Sequence, residues 1–271
     1  MVEEKKIKFF YPNKTLTISL TGEFCDRHCL HCNGVYLKGM TPKEMAVKKL
    51  EEGDYLSVLV SGGFNEEGKI PITQNINLLK RIKKLKKRVV IHPGFLSLNE
   101  IKKVKPFVDA ASFDFIYDDD LIKRVYHLPY TGKDFRKEYL LLRRNFKTYP
   151  HIIVGLDEGK IKGEFEIIDV LAEIKPSLIV FLVIIPTRGT AFQDIKPPEV
   201  DEVYKVFESA RRKLRLTKLY LGCMRPKGKY RDELDVMAYE VGFTGFVNPS
   251  QPLKKMVKDP EVYYECGILY P

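Results

Sequence analysis

The chain has 271 residues, 44% apolar and 30% charged, which excludes a disordered or low-complexity protein and leaves ample material for a core. The formal charge of +10 comes from 46 Lys and Arg against 36 Asp and Glu, but the lysines are scattered along helix faces ("LLKRIKKLKKR", "KVFESARRKLRL") without interleaved aromatics, so nucleic acid is not the expected partner. No run approaches ~18 consecutive apolar residues, so no membrane span is expected.

The start, "MVEEKKIKFF", lacks the apolar core and cleavage site of a signal peptide. Five cysteines, three of them within eight residues, fit a reducing compartment better than a disulfide scaffold. A cytoplasmic protein is therefore expected. The richness in Lys and Glu and the absence of Trp fit a thermophile.

In chain order, strands are predicted at "TLTISL" (15–20), "YLSVLV" (55–60), "RVVIH" (88–92), "VDAASFDFI" (108–116), "HIIVGL" (151–156), "SLIVFLVII" (177–185), "KLYLG" (218–222) and "TGFVNP" (244–249). Most are continuously apolar and β-branched, as strands buried on both faces should be. Helices lie between them. Thr41-Pro42-Lys43-Glu44 and Ser97-Leu98-Asn99-Glu100 read as capping boxes. Apolar stripes run through Ile167, Ile168, Leu171 and Ile174, and through Val200, Val203, Phe207, Ala210 and Leu214. About eight βα units in ~250 residues is the arithmetic of a (β/α)8 TIM-type barrel, complete or nearly so. An open doubly wound sheet is the alternative. Residues 1–250 are expected to form the barrel, and residues 251–271 a tail folding over or beside it. In either fold, ligands gather where strands end.

The densest chemistry is "CDRHCLHC", residues 25–32, after the first predicted strand. Cys25, Cys29 and Cys32 have the spacing C-x3-C-x2-C, and so short a loop can aim all three thiolates at one region. Three thiolates suit three irons of a four-iron four-sulfur cluster and leave the fourth iron open, as catalysis needs. The rival is zinc, with His28 or His31 completing a Cys3His site. "GFNEEGKI" (63–70) matches seven of eight positions of a phosphate-binding loop. Ile70 cannot ligate Mg²⁺, and no helix opens at Pro71, so that reading is rejected.

Other strand ends carry further candidates. Paired glycines in Ser61-Gly62-Gly63 let a ligand approach the backbone. Asp114 can accept hydroxyls, and Arg188 beside Gly189 can clamp a carboxylate bidentately. His92 in "IHPG" can serve as ligand or proton carrier. Cys223 in "GCMRP" and Cys266 in the tail can help bind a second cluster or quench a radical; two isolated buried thiols are the plainer alternative.

The succession "CDRHCLHC", "SGG", "SFDF", "VGLDEGKIKGE", "IPTRGT", "GCMRP" resembles the biotin-synthase-like branch of the radical S-adenosylmethionine (SAM) superfamily, over roughly residues 15–250. Within it the chain is similar to archaeal homologues related to two-component lipoyl synthase and, more distantly, to methylornithine synthase. The resemblance implies a [4Fe–4S] cluster on Cys25, Cys29 and Cys32, with His31 in the aromatic position before the third cysteine. It implies SAM held by Ser61, Gly62 and Gly63 at its amino group, by Asp114 at its ribose, and by Gly155, Leu156 and Glu164 near adenine. It further implies an electron donor such as ferredoxin or flavodoxin, and reductive cleavage of SAM to a 5′-deoxyadenosyl radical that abstracts hydrogen from an unactivated C–H bond. The substrate would be a small molecule or carrier-protein-bound. Sulfur insertion of the lipoyl or biotin type would need a second iron–sulfur cluster, for which only Cys223 and Cys266 remain, or a partner radical SAM subunit.

Overall fold

A computed structural model describes residues 6–271; residues 1–5, which belong to the expected barrel span and to the leading stretch read for a signal peptide, lie outside the described residues. The eight expected strands are all present. They are β2 (Thr15–Ser19), β4 (Ser57–Ser61), β5 (Arg88–Ile91), β6 (Ala110–Asp114), β7 (Thr148–Val154), β8 (Leu178–Val183), β9 (Lys218–Leu221) and β10 (Gly245–Val247). Three further short strands join them: β1 (Lys8–Phe10), β3 (Thr41–Pro42) and β11 (Glu261–Tyr263). The helices are α1 (Lys43–Glu52), α2 (Ile76–Lys84), α3 (Leu98–Val104), α4 (Asp119–Tyr126), α5 (Gly132–Asn145), α6 (Glu164–Ile174), α7 (Val200–Lys213), α8 (Lys229–Glu240) and α9 (Gln251–Met256).

All strands run parallel in one curled sheet of eleven, ordered β11-β1-β10-β9-β8-β7-β6-β5-β4-β2-β3. The expectation of a closed or nearly closed eight-stranded barrel is therefore corrected to an open, curled sheet. The reason lies at the seam. Closure would need β10 beside β2, but β10 pairs with β1, with Lys8 opposite Gly245, and β1 pairs onward with β11. The other edge, β3, pairs with β2 through Ile18 and Thr41. That pairing also removes the first expected capping box. Thr41 is spent in the strand, its hydroxyl accepts from Lys49 Nζ at 3.3 Å, and Pro42 caps α1 without a side-chain bond. The second box forms as read, with Ser97 and Glu100 bonding reciprocally at α3.

Strand β8 shows why the sheet is continuously apolar. Leu178, Val180 and Leu182 face the concave side, while Ile179, Phe181 and Val183 face the helices, and all six are buried. Side chains alternate with period two, so a strand covered on both faces has no polar position to spare. Phe181 meets Phe207 of α7 at 5.3 Å and Phe243 at 5.5 Å between ring centroids, which locks that helix to the sheet. Each such buried side chain contributes roughly 1.5–3 kcal/mol.

The concave side is filled by a cluster of Phe10, Val90, Ala110, Tyr149, Tyr220 and Ile268. Ile268 belongs to the C-terminal tail. The tail runs alongside β1 as β11, and its Glu265 then pairs with Arg88, the first residue of β5. The Cys266 N–H donates to Thr15 Oγ1 at 2.8 Å. The tail thus forms a floor beneath the sheet and leaves the C-terminal strand ends open. Among the described residues no helix is long and apolar enough to cross a membrane.

Candidate active site

The cysteine loop leaves β2 and turns back through two left-handed residues, His28 (φ 47°) and Asn33 (φ 41°), before Gly34 (φ 70°). Three neighbours fix its path. Asp26 N–H donates to Phe64 O at 2.9 Å, behind the end of β4. Leu30 N–H donates to Val125 O at 2.9 Å, and Arg27 Nη1 to His127 O at 2.7 Å, at the C-terminus of α4. Tyr36 and Thr187 share a hydrogen bond of 2.6 Å, which ties the loop to the segment after β8.

Gly63 explains the glycine pair. A Cβ there would stand 1.9 Å from Phe24 O and 2.6 Å from Cys25 Cα, so the loop can seat only against a residue with no side chain. Its N–H donates to Thr21 Oγ1 at 2.7 Å, and Ser61 is buried beside it.

Cys29 is buried, and Cys25 and Cys32 are half-buried. The Cys29 thiol donates to Tyr126 O at 3.7 Å. The closeness of the two sulfurs pushes Cys32 down and Cys29 up, burial adds to the rise of Cys29, and the His31 ring beside Cys32 favours its thiolate. The phenol of Tyr126, on α4, faces the same place. Its ring centroid is 4.9 Å from that of His31, and burial first, then the Asp114 carboxylate and the Cys29 and Cys32 thiols, push it well up. Among the described residues, His31 Nδ1 and Tyr126 Oη are both buried without a hydrogen-bond partner. Three soft thiols on one loop with unused polar atoms around them suit an iron–sulfur cluster held by three cysteines. The zinc reading needs a histidine as fourth ligand. His28 is exposed and engaged with Asn33 Oδ1 at 3.0 Å.

Asp114 ends β6 on the concave side. Its Oδ2 lies 3.5 Å from His92 Nε2, and it stands opposite His151 of β7 in the parallel register. Burial pushes His151 down to about 4, so its ring is neutral at ordinary pH. Neither the "IHPG" reading nor the strand pattern drew attention to His151; its alternation with Tyr149 and Ile153 along β7 was the available signal.

Glu164 has a different task from the one its motif implies at first sight. Its carboxylate accepts from Gly155 N–H at 2.7 Å and from Lys162 N–H at 2.8 Å, and it is only 4% exposed, so it shapes the 155–162 loop from behind. Gly155 itself (φ +82°) has Pro198 Cδ 2.7 Å from where a Cβ would be, so the turn admits no larger residue. Leu156 is buried beside it, and Arg188 is exposed next to Gly189.

Cys223 is solvent-accessible inside the bowl, where the surrounding low-dielectric walls push its thiol up. Cys266 is half-buried nearby and is pushed up to about 11 by burial, with Cys223 adding to the effect. The two thiols therefore share the interior, although Cys223 comes from the strand ends and Cys266 from the floor.

No protein-family model and no curated protein matches the chain. Solved structures do. Methylornithine synthase (PylB) superposes over 96% of this chain and 79% of its own, with a TM-score of 0.61 and 11% identity. The FeFe-hydrogenase maturase HydG from Carboxydothermus hydrogenoformans matches 90% of this chain and 59% of its own, at a TM-score of 0.65 and 15% identity. SuiB from Streptococcus suis, bound to S-adenosylmethionine, matches 88% of this chain and 58% of its own, at a TM-score of 0.57 and 16% identity. The chain thus spans less than two thirds of the latter two. At 11–16% identity the likeness is one of fold.

Proposed function

We propose that this chain is a radical SAM enzyme acting on an unactivated C–H bond. The observation that carries the reading is one loop bearing Cys25, Cys29 and Cys32 after the C-terminal end of β2, seated against Gly63 just past the end of β4. In this reading the three thiolates hold three irons of a [4Fe–4S] cluster. When bound, the cluster and SAM supply the electron transfer and the hydrogen-abstracting radical; the chain supplies binding, orientation and shielding.

Ser61, Gly62 and Gly63, at the end of β4 and against the cysteine loop, would receive the SAM amino group. Asp114 accepts the ribose hydroxyls while His92 steadies its Oδ2. Gly155 and Leu156 pack against adenine on a loop that Glu164 holds in shape. Arg188 clamps a carboxylate of SAM or substrate. The apolar floor keeps water from the reacting centre. Residues 1–250 would form the catalytic unit and residues 251–271 its support. A reductant such as ferredoxin or flavodoxin, a small-molecule or carrier-bound substrate, and a cytoplasmic setting complete the reading.

Two subtypes differ in what Cys223 and Cys266 do. Sulfur insertion of the lipoyl-synthase type uses them toward a second cluster, alone or with a partner subunit. Rearrangement of the methylornithine-synthase type needs no second cluster, and the 96% coverage by that enzyme's structure supports keeping it beside the first. Anaerobic reconstitution separates them: about four irons per chain for one cluster, about eight for two. With SAM and a strong reductant, 5′-deoxyadenosine should form. Iron uptake that survives replacement of Cys25, Cys29 and Cys32 by Ala together would refute the enzyme reading itself.

A further inference from the structure

We infer that the Tyr126 hydroxyl is a hydrogen-bond donor to the sulfur ligands of the cysteine-loop cluster and sets how readily that cluster is reduced. The inference rests on the radical SAM reading above and adds to it a residue that lies outside every motif in the sequence.

Tyr126 is the last residue of α4 and is only 6% exposed. A phenol buried that deeply normally finds a partner, because an unmet O–H forfeits its hydration for nothing. Among the described residues this one has none. Asp114, Cys29 and Cys32 are the ionisable groups nearest to it. A second unpartnered buried atom, His31 Nδ1, belongs to the ring that packs 4.9 Å away. Two idle polar atoms beside two thiols point to a ligand rich in acceptors at that spot.

The position is also rigid. Three contacts that do not involve the cysteine thiols join this end of α4 to the cysteine loop: Leu30 N–H to Val125 O at 2.9 Å, Arg27 Nη1 to His127 O at 2.7 Å, and His127 Nδ1 with Arg27 O at 2.8 Å. They hold the backbone of Tyr126 against the loop, and the packing of its ring on His31 keeps the phenol there. A hydrogen bond to a cluster sulfur or its thiolate ligand withdraws electron density and favours the reduced state. Tyr139 supplies the contrast. Its hydroxyl is likewise buried without a partner, but it lies among Phe113 and Phe115 on the helix-facing side.

The test is Tyr126→Phe beside Tyr139→Phe, each reconstituted anaerobically and titrated potentiometrically while electron paramagnetic resonance follows the reduced cluster. Both variants should fold and carry the same iron as the wild type. In Y126F the ratio of reduced to oxidised cluster at a fixed potential should fall about tenfold, equivalent to about 59 mV for a one-electron couple. Y139F should leave it unchanged. A fully loaded Y126F chain with an unshifted potential overturns this inference and leaves the radical SAM reading standing. Equal shifts in both variants overturn it too, as would a Y126F chain that fails to fold, since an unpartnered hydroxyl cannot be essential for folding. A wild-type chain that takes up no cluster removes the reading and the inference together.

Discussion

The two sides of the mouth hold their largest buried polar side chains differently, although on the Arg225 side Arg231 Nε and Ser250 Oγ also lack a partner among the described residues. At the ends of β9 and β10, Arg225 is fully buried, yet it meets both Asp235 oxygens at 2.7 and 2.9 Å and donates to the carbonyls of Gly222, Val247 and Asn248. Asp235 also accepts from Ser250 N–H at 2.8 Å. At the cysteine loop, by contrast, Tyr126 and His31 keep buried polar atoms with no partner among the described residues. A closed network holds the loops after β9 and β10 in one shape. Idle donors and acceptors beside thiols mark where a ligand completes the structure. The contrast is between a guanidinium whose every charge-bearing partner is supplied by the chain and a phenol whose hydroxyl has none.

The sharpest way to break this comparison is to remove a thiol. Cys29→Ala should drop reconstituted iron from about four per chain to near zero and abolish 5′-deoxyadenosine formation. Circular dichroism of the metal-free chain should be unchanged; a collapse of the fold would mean that the loop is structural. On the opposite side, Asp235→Ala should cost roughly 3–5 kcal/mol in denaturant unfolding, because it strands a buried guanidinium. Replacing Arg225 with Met and Asp235 with Leu together should recover much of that loss.

Gly63→Ala sharpens the loop side with a smaller expected effect. Its new methyl must displace Phe24 O or Cys25, at roughly 1–3 kcal/mol, and cluster loading should fall several-fold. Gly39→Ala, where nothing lies within 4 Å of the added carbon, should leave loading intact.

An effect that appears only as pH changes concerns a buried carboxyl that lacks the cation Asp235 enjoys. Glu138 is pushed up to about 7, first by burial and then by Glu100, against one stabilising N–H from Leu96 at 2.8 Å. Its folded value therefore lies above the ordinary 4.5 of a glutamate. The folded state holds the proton longer than the unfolded chain, so stability should fall as pH rises from 4.5 to about 7, by on the order of 2–3 kcal/mol. Glu138→Gln should flatten that slope in urea titrations at pH 5 and pH 8. A slope unchanged in the variant would assign it to other groups.

Much of the fold was legible because its signals are local. Continuous β-branched runs placed β2 and β4 through β10, and the α6 and α7 stripes were read correctly from period 3.6. The start of β7 was missed because Pro150 punctuates it, yet the strand begins at Thr148 and Pro150 pairs with Phe113. The Thr41 capping box was misread because strand pairing with β2 outcompeted a local cap. At the site, the C-x3-C-x2-C spacing and the glycine pair stood out in the sequence. Tyr126, His151 and the Arg225–Asp235 pair did not, since nothing in their own segments distinguishes them from ordinary core or surface residues.

The amino-acid sequence by itself determined which segments become strands, which helix faces are buried, and that three thiols share one short loop. These depend on residues within a few positions of one another. Only the tertiary structure decided that the sheet stays open, that the tail forms its floor, and that a tyrosine from α4 stands over the cysteines. Each depends on contacts between segments far apart in the chain, such as Lys8 with Gly245 or Arg88 with Glu265, where strand edges and buried charges choose among partners that local pattern leaves equivalent.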